Sequence, residues 1–361
     1  MWFKRRVQAT KTQPNSGVSI VDTGPCQKSL RLTVGLDVIG PVRTAVVEEL
    51  RRRATLPGFR KGKAPADLIE QQHAQVIHEE MLQRVTKQTL ERVVQEADLR
   101  PVGPFEFRRT DFSQDDGLTL EATVEVEPDF PLGPYKGVTL TRDPISVTPE
   151  EIDQGLKAVQ ESMGQLVPKG EGQPKERQLP ALDDELAKDA GLESLEQLKE
   201  HVAAKLREQK RSAQAHALEA ALSEELLKRH TFEVPPTLVS RQVERLTQEC
   251  KARLLLSGMA EGQVEDELKR FTERLRHSAE QQVKLSFILD RIAATESVSV
   301  KEDELLGRLW QVARRWQKDP IEVRKIFDAQ GLWPSVISTI RHEKTMALLM
   351  EAAVIDDGGP A

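Results

Sequence analysis

Residues 58–65 read Gly58-Phe59-Arg60-Lys61-Gly62-Lys63-Ala64-Pro65 and separate two long helical patterns. Glycine at 58 and at 62 allows positive φ angles, so a tight, exposed loop is predicted here. The preceding helix is predicted to open at Gly40-Pro41, with proline near its first position, and to end before Pro57. The following helical pattern starts at Pro65 and extends to about Asp98, with room for one break.

Strand patterns lie on both sides of this helix–loop–helix segment. Residues 18–21 and 30–36 precede it, and residues 105–109 and 118–126 follow it. In the last stretch apolar residues alternate strictly with Thr and Glu, which is the period of a strand with one buried face. Together these patterns predict a β-β-α-α-β-β unit that ends near Pro128.

Beyond this unit the chain changes to helical patterns. Thr148 and Glu151 have the spacing of a capping box, with Pro149 at the first helical position, and this helix is predicted to end near Met163. Residues 164–180 are rich in Gly, Pro, Lys and Glu and predict a loop. The remaining helices are predicted from a cap at Ser194 to the break at 232–236, then at about 236–257, 261–294, 300–317, 319–330 and 332–354.

The predicted fold class is α+β, with an N-terminal β-β-α-α-β-β domain and an elongated all-α C-terminal region. A chain of 361 residues fits two or three domains of roughly 100–200 residues. We place a flexible N-terminal extension at 1–17, the mixed domain at 18–130, and a connector at 131–181 made of a strand over 131–141, a helix and a loop. The helical domain follows at 182–355 and a tail at 356–361. For the basic N-terminal segment, a mis-set start and an organelle transit peptide remain open alternatives.

Composition excludes several classes of protein. At 38% hydrophobic and 30% charged residues the chain is too apolar to be disordered, and no window approaches the ~18 apolar residues of a membrane-spanning helix. Aromatic residues make up only 4%, which favours a helix-rich body with cores of Leu, Val and Ala. Cys26 and Cys250 fit neither a disulfide scaffold nor a metal site.

Charge is concentrated at one place. Residues 51–66 contain six basic side chains and no acid, in a chain whose net charge is −6. Glu48 and Glu49 lie four residues before Arg52 and Arg53, so a paired helix face accounts for the cations at 51–53. Pairing along a helix does not account for the basic residues of the loop. Their local concentration predicts that the protein docks to a polyanion through this loop and does not bind it along the length of the chain.

The sequence contains none of the usual signals of catalysis. Neither GxGxxG nor GxxxxGK[ST] occurs, the seven histidines have no metal spacing, and no GxSxG elbow supports a serine nucleophile. We therefore predict no catalytic, cofactor-binding or metal-binding residues, and no cofactor.

Phe59 leaves two interpretations open. At the tip of a loop its ring has no intramolecular partner and suits an apolar contact flanked by phosphate or carboxylate contacts. Alternatively, the ring folds back onto the two helices.

The loop resembles the G-F-R-x-G-x-x-P ribosome-docking signature of bacterial trigger factor, with all five defining positions present. The stretches 124–128, 135–138, 183–187, 194–198 and 232–235 are also similar to family segments, so the resemblance covers about residues 18–355. It implies ribosome-binding residues at Gly58, Phe59, Arg60, Lys61, Gly62, Lys63 and Pro65. It further implies an ATP-independent chaperone in the cytoplasm, docked on ribosomal protein and rRNA at the tunnel exit.

The other partners implied by the resemblance are nascent and unfolded polypeptides and, off the ribosome, a second copy of the chain; no membrane or small-molecule substrate is implied. The C-terminal region is expected to form a cradle with helical arms. Candidate client-binding residues, each of which can equally be a core residue, are Leu254, Leu255, Leu256, Met259, Trp310, Trp316, Trp333 and Met350.

One departure from the family pattern matters for activity. Family members carry an FKBP-type prolyl isomerase domain after the connector helix, whereas only a short polar loop lies between Met163 and Leu182. We therefore predict no isomerase site. Two alternatives stay open: a holdase that does not bind ribosomes, and a prolyl isomerase. An RNA-binding regulator is a more distant one.

Overall fold

The computed structural model describes residues 7–9, 16–57, 59–113, 115–167 and 176–357. A five-stranded antiparallel sheet in the order β1-β2-β3-β5-β4 contains the four predicted strands. These strands are β2 (Ser16–Gly24), β3 (Gln27–Val34), β4 (Glu106–Ser113) and β5 (Gly117–Glu125). The fifth, β1 (Val7–Ala9), pairs with β2 inside the segment expected to be a flexible extension. The alternation at 118–126 is confirmed, because Leu118 and Leu120 are fully buried.

Three helices accompany this sheet: α1 (Leu36–Arg53), α2 (Ala66–Gln72) and α3 (Ala74–Glu96). The break expected in the second helical pattern is the junction of α2 and α3 at His73. The predicted start of α1 was wrong, because the helix begins at Leu36 and Pro41 lies inside it. Burial of Ile39 against the sheet stabilises the extra turn and offsets the backbone hydrogen bond that proline cannot donate.

The rest of the chain is mostly helical, as predicted. The helices are α4 (Pro149–Ser162), α5 (Asp184–Asp189), α6 (Leu195–Arg229), α7 (Pro236–Leu256), α8 (Glu261–Thr295), α9 (Glu302–Trp316), α10 (Pro320–Gln330) and α11 (Trp333–Glu351). The capping box of Thr148 and Glu151 is confirmed. Among the helices of the described residues, none combines the length and apolar character needed to cross a bilayer.

Among the described residues, four further short strands occur; three of them were not predicted, and the fourth overlaps the connector strand expected over 131–141. The strands β7 (Gln165–Val167) and β8 (Glu176–Gln178) form an antiparallel pair within the expected loop. The strands β6 (Thr139–Arg142) and β9 (Val354–Asp357) form a parallel pair, so α11 ends three residues before the predicted end of its helix. Residues 356 and 357, placed in the tail, therefore belong to a strand.

Contacts divide the chain into two compact units. The first combines Met1–Pro131 with His230–Ile288, and the second combines Leu132–Arg229 with Leu289–Ala361, each within its described residues. The second has a close helix contact, where a Cβ on Gly155 of α4 would lie 2.5 Å from Val202 Cγ1 of α6.

In the first unit, side chains of the sheet hold the segment that leads into α7. Both carboxylate oxygens of Glu125 accept a hydrogen bond from the Thr237 backbone N–H, at 3.2 and 3.3 Å, and Oε1 also accepts one from Thr237 Oγ1 at 2.9 Å. Cys26 Sγ donates to the Glu233 carbonyl at 3.2 Å, and burial, with smaller effects of the Glu125 and Glu233 carboxylates, raises the pKa of this thiol to about 11. The ring of Phe130 stacks on Phe232 with 4.0 Å between centroids.

Candidate functional site

The loop between α1 and α2 is anchored on both sides. Leu56 and Ala64 are 7% and 3% exposed and pack with Val46, Ile69 and Ile77 in a core shared by the three N-terminal helices. The described residues between Leu56 and Ala64 are more exposed, so the core fixes both ends of the loop. Of the predicted docking residues, Gly58 lies outside the described part of the chain, which resumes at Phe59.

Two turns shape this segment. The Phe59 N–H donates to the Leu56 carbonyl at 3.1 Å, and the Lys63 N–H donates to the Arg60 carbonyl at 2.9 Å. Gly62 has φ +80° at the third position of the second turn, where a type II turn requires a left-handed residue. Pro65 is the extended N-cap residue of α2, as the sequence predicted for the entry to the second helix.

Phe59 is 40% exposed, so its ring is partly covered and partly open to solvent. The interpretation in which its ring folds fully back onto the helices is therefore not what the structure has. A large exposed ring at a loop tip is typical of a contact surface.

The cations of the loop differ from those of the adjacent helices. On α1, Arg51 pairs with Glu48 at 2.8 Å, and Arg53 pairs with Glu49. Hydrogen bonding from Arg84, with the positive charges of Arg53 and Arg84, holds the pKa of the Glu49 carboxyl below its ordinary value.

Within the described ranges, Arg60, Lys61 and Lys63 are exposed and form no ion pair. Arg52 is also exposed and forms no ion pair in the described residues. The sequence suggested that Glu48 pairs with Arg52, but in the structure Glu48 pairs with Arg51. Arg52 is therefore an additional candidate that sequence reasoning missed. Helical spacing alone could not identify it, since i,i+3 and i,i+4 partners compete for one carboxylate.

The first four candidate client-binding residues lie together at the end of α7. Gly258, at φ +86°, forms a Schellman motif in which Gly258 N–H donates to the Leu255 carbonyl and Met259 N–H donates to the Leu254 carbonyl. Leu254 and Met259 are partly buried, whereas Leu255 is 42% and Leu256 is 90% exposed. The turn thus presents two leucines to solvent.

The remaining four candidates belong to the second unit. Trp316 and Trp333 both contact the ring of Phe327, and Trp333 Nε1 donates to Asp328 at 2.7 Å. Trp333 therefore has a packing role, whereas Trp316 is 46% exposed and stays a candidate. Trp310 is 55% exposed on α9, and Met350 is partly buried on α11. In the described part of the chain, no group of three or more His, Cys, Asp or Glu side chains is placed to hold a metal ion.

Two family models match the chain. Residues 17–159, which include the loop, match the model described as bacterial trigger factor protein, and residues 194–351 match the model of its C-terminus. The chain belongs to the bacterial trigger factor family.

Relatives named trigger factor match over almost their whole length. The protein from Shouchella clausii is 24% identical, with 94% of this chain and 96% of the relative covered. The protein from Anaeromyxobacter dehalogenans is 25% identical, with 94% and 99% covered. A solved trigger factor chaperone structure, described as showing promiscuous substrate recognition, covers 96% of this chain at 18% identity and a TM-score of 0.48.

This family member is shorter than its relatives in the middle. The two models leave residues 160–193 unmatched. The alignment with the Shouchella clausii trigger factor spans 433 positions, so roughly a fifth of them have no residue in this chain.

Proposed function

We propose that this chain is an ATP-independent chaperone of the cytoplasm that docks on the large ribosomal subunit through residues 59–65 and holds nascent or unfolded polypeptides. The observation that carries the docking role is the anchored loop with a half-exposed Phe59 and three unpaired cations. Membership of the trigger factor family supports the chaperone role.

The chemistry of the loop suits a ribosomal partner. Phe59 offers an apolar surface, while Arg60, Lys61 and Lys63 offer charge to carboxylates of a ribosomal protein or to rRNA phosphates. Because Leu56 and Ala64 already fix both ends of the loop, docking costs little additional conformational entropy.

Client binding is proposed for three of the exposed apolar candidates in the helical part of the chain. Leu255 and Leu256 in the last turn of α7, and Trp310 on α9, are surrounded by charged helix faces. Dispersed apolar contacts of this kind hold a hydrophobic segment weakly and release it without nucleotide hydrolysis. A second copy of the chain, off the ribosome, is a further proposed partner.

Co-sedimentation with purified ribosomes tests the docking role. The variant Phe59→Ala/Arg60→Ala/Lys61→Ala is expected to bind at least about tenfold more weakly, because it loses one apolar and two ionic contacts. Binding of the unmodified chain is expected to weaken between about 50 and 300 mM salt, since exposed charge contacts are screened.

The matched control is Ile321→Ala/Arg324→Ala/Lys325→Ala on α10. Like the loop variant, it removes one exposed apolar side chain, one arginine and one lysine. It is expected to bind ribosomes like the unmodified chain. Equal binding by the loop variant and the control, or no binding by the unmodified chain, would overturn the docking role and leave a ribosome-independent holdase.

We also propose that the chain acts without prolyl isomerase activity. The support is the unmatched segment 160–193 and the single tyrosine, Tyr135, whose hydroxyl donates to Glu296 at 2.6 Å. In a proline-limited refolding assay the chain is expected not to accelerate the slow phase, whose uncatalysed time constant is on the order of tens to hundreds of seconds. An acceleration that grows with chaperone concentration, against an FKBP-type enzyme as positive control, would contradict this.

A further inference from the structure

A second surface, separate from the loop, lies in the first compact unit. A groove of about 660 Å³ runs between α3 and β4, and we call it the α3–β4 groove. Its apolar wall consists of Leu82, Leu90, Val94, Phe105 and Phe107. Phe107 is 48% exposed, which is unusual for a phenylalanine on a strand and indicates that this part of the sheet lacks a cover within the described residues.

A β-bulge gives the groove its shape. Phe107 faces Ala122 of β5 and Arg109 faces Glu121, so Arg108 is the extra residue. The bulge shifts the alternation of β4, and Phe107 and Thr110 therefore both line the groove although they are three residues apart.

The rim of the groove is polar but carries no net charge. Its only ionic side chains are Lys87 and Glu91, whose Nζ and Oε1 atoms lie 4.0 Å apart. The other rim groups, which are amides and hydroxyls able to donate and to accept hydrogen bonds, are Gln83, Thr86, Gln95 and Thr110. The charge-neutral rim of the groove contrasts with the loop, where Arg60, Lys61 and Lys63 form no ion pair in the described residues.

The absence of net charge on the rim favours an uncharged ligand in the α3–β4 groove. A neutral rim offers no electrostatic attraction to a polyanion. An uncharged peptide segment can place its apolar side chains against the apolar wall and pair its backbone amides with the hydrogen-bonding groups of the rim. Addition of a strand to the outer edge of β4 is disfavoured, because the bulge and the exposed Arg108 interrupt that edge.

We propose that the α3–β4 groove binds short, uncharged apolar segments of unfolded polypeptide. This inference rests on the proposed chaperone function and adds a client site to the same unit that carries the docking loop. Phe107 provides the central contact, and the amide of Gln95 binds the backbone of the segment.

Photo-cross-linking on the full chain tests this proposal. Benzoylphenylalanine replaces Gln83 in the groove or, as the control, Val76, which is 46% exposed on the same helix outside the groove. The probe is a biotinylated twelve-residue peptide of Leu, Phe, Ser and Gly with both ends blocked. We expect cross-links from position 83 and not from 76, with competition by unlabelled peptide. Phe107→Ser is expected to weaken the cross-link about fivefold, and Val76→Ser to leave it unchanged.

Other outcomes separate the two claims. If the peptide binds the chain but forms no cross-link at position 83, or if Phe107→Ser has no effect, the groove is not a client site although the chaperone function stands. A cross-linked product with the mass of two chains would mean that a second copy covers the groove, and it would overturn the proposal. If the chain neither binds the peptide nor suppresses aggregation of an unfolded protein, the proposed function itself fails.

Discussion

Replacing Gly117 with alanine is expected to destabilise the first compact unit by about 2–4 kcal/mol. Gly117 begins β5 at φ +87°, and a Cβ at this position would lie 2.2 Å from the Val34 carbonyl oxygen. The left-handed backbone costs a side chain about 1–2 kcal/mol, and relieving the clash against backbone adds a similar amount. Urea unfolding, followed by the circular dichroism of the sheet-containing unit, measures the loss.

Gly62 provides the matched control, because it has a similar φ of +80° but a Cβ added to it would meet no atom within 4 Å. Gly62→Ala should therefore show only the cost of the dihedral angle, about 1–2 kcal/mol. If both variants lose the same stability, the close approach of Gly117 to β3 does not contribute.

The second large effect is expected for Glu125→Ala, at about 2 kcal/mol. Pro235 is the N-cap residue of α7 and has no side chain that can accept a hydrogen bond, so the carboxylate of Glu125 satisfies the Thr237 N–H in its place. Loss of an N-cap costs about 0.5–2 kcal/mol, and hydrogen bonds to a charged group contribute about 1.5–3 kcal/mol. Amide hydrogen exchange should quicken at the first turn of α7 before it does so in the sheet.

Glu121→Ala on the same strand is the control, since its pair with Arg31 at 3.6 Å is exposed. Such a pair is worth about 0–1 kcal/mol, so little change is expected. Equal losses from the two variants would show that removing a carboxylate from β5, and not the cap on α7, causes the effect.

Local patterns were sufficient to predict most elements of this fold. The alternation at 118–126 identified β5, and the proline and capping signals at 148–151 identified the start of α4. The loop at 58–65 was identified because its glycines, proline and cations stand between two apolar periodicities. What residues 59–65 bind remains a prediction.

Other features depend on contacts that no local pattern contains. The helix α1 starts before Pro41 because Ile39 packs against a sheet whose strands lie on both sides of it in sequence. The α3–β4 groove depends on a one-residue bulge at Arg108, which the composition of β4 does not reveal. Glu125 and Thr237 are 112 residues apart, so their contact, and with it the unit that joins α7 to the sheet, could not be inferred from spacing.

The parallel pairing of β6 with β9 has a consequence for the synthesis of this protein. Thr139 pairs with Val354, so the backbone of β6 has no strand partner in that pair until more than two hundred further residues have been translated. At about 5–20 residues per second this interval is on the order of ten to forty seconds. The second unit can therefore be completed only after residues 354–357 have been translated, and during that interval a protein proposed to protect nascent chains has an unpaired strand edge of its own.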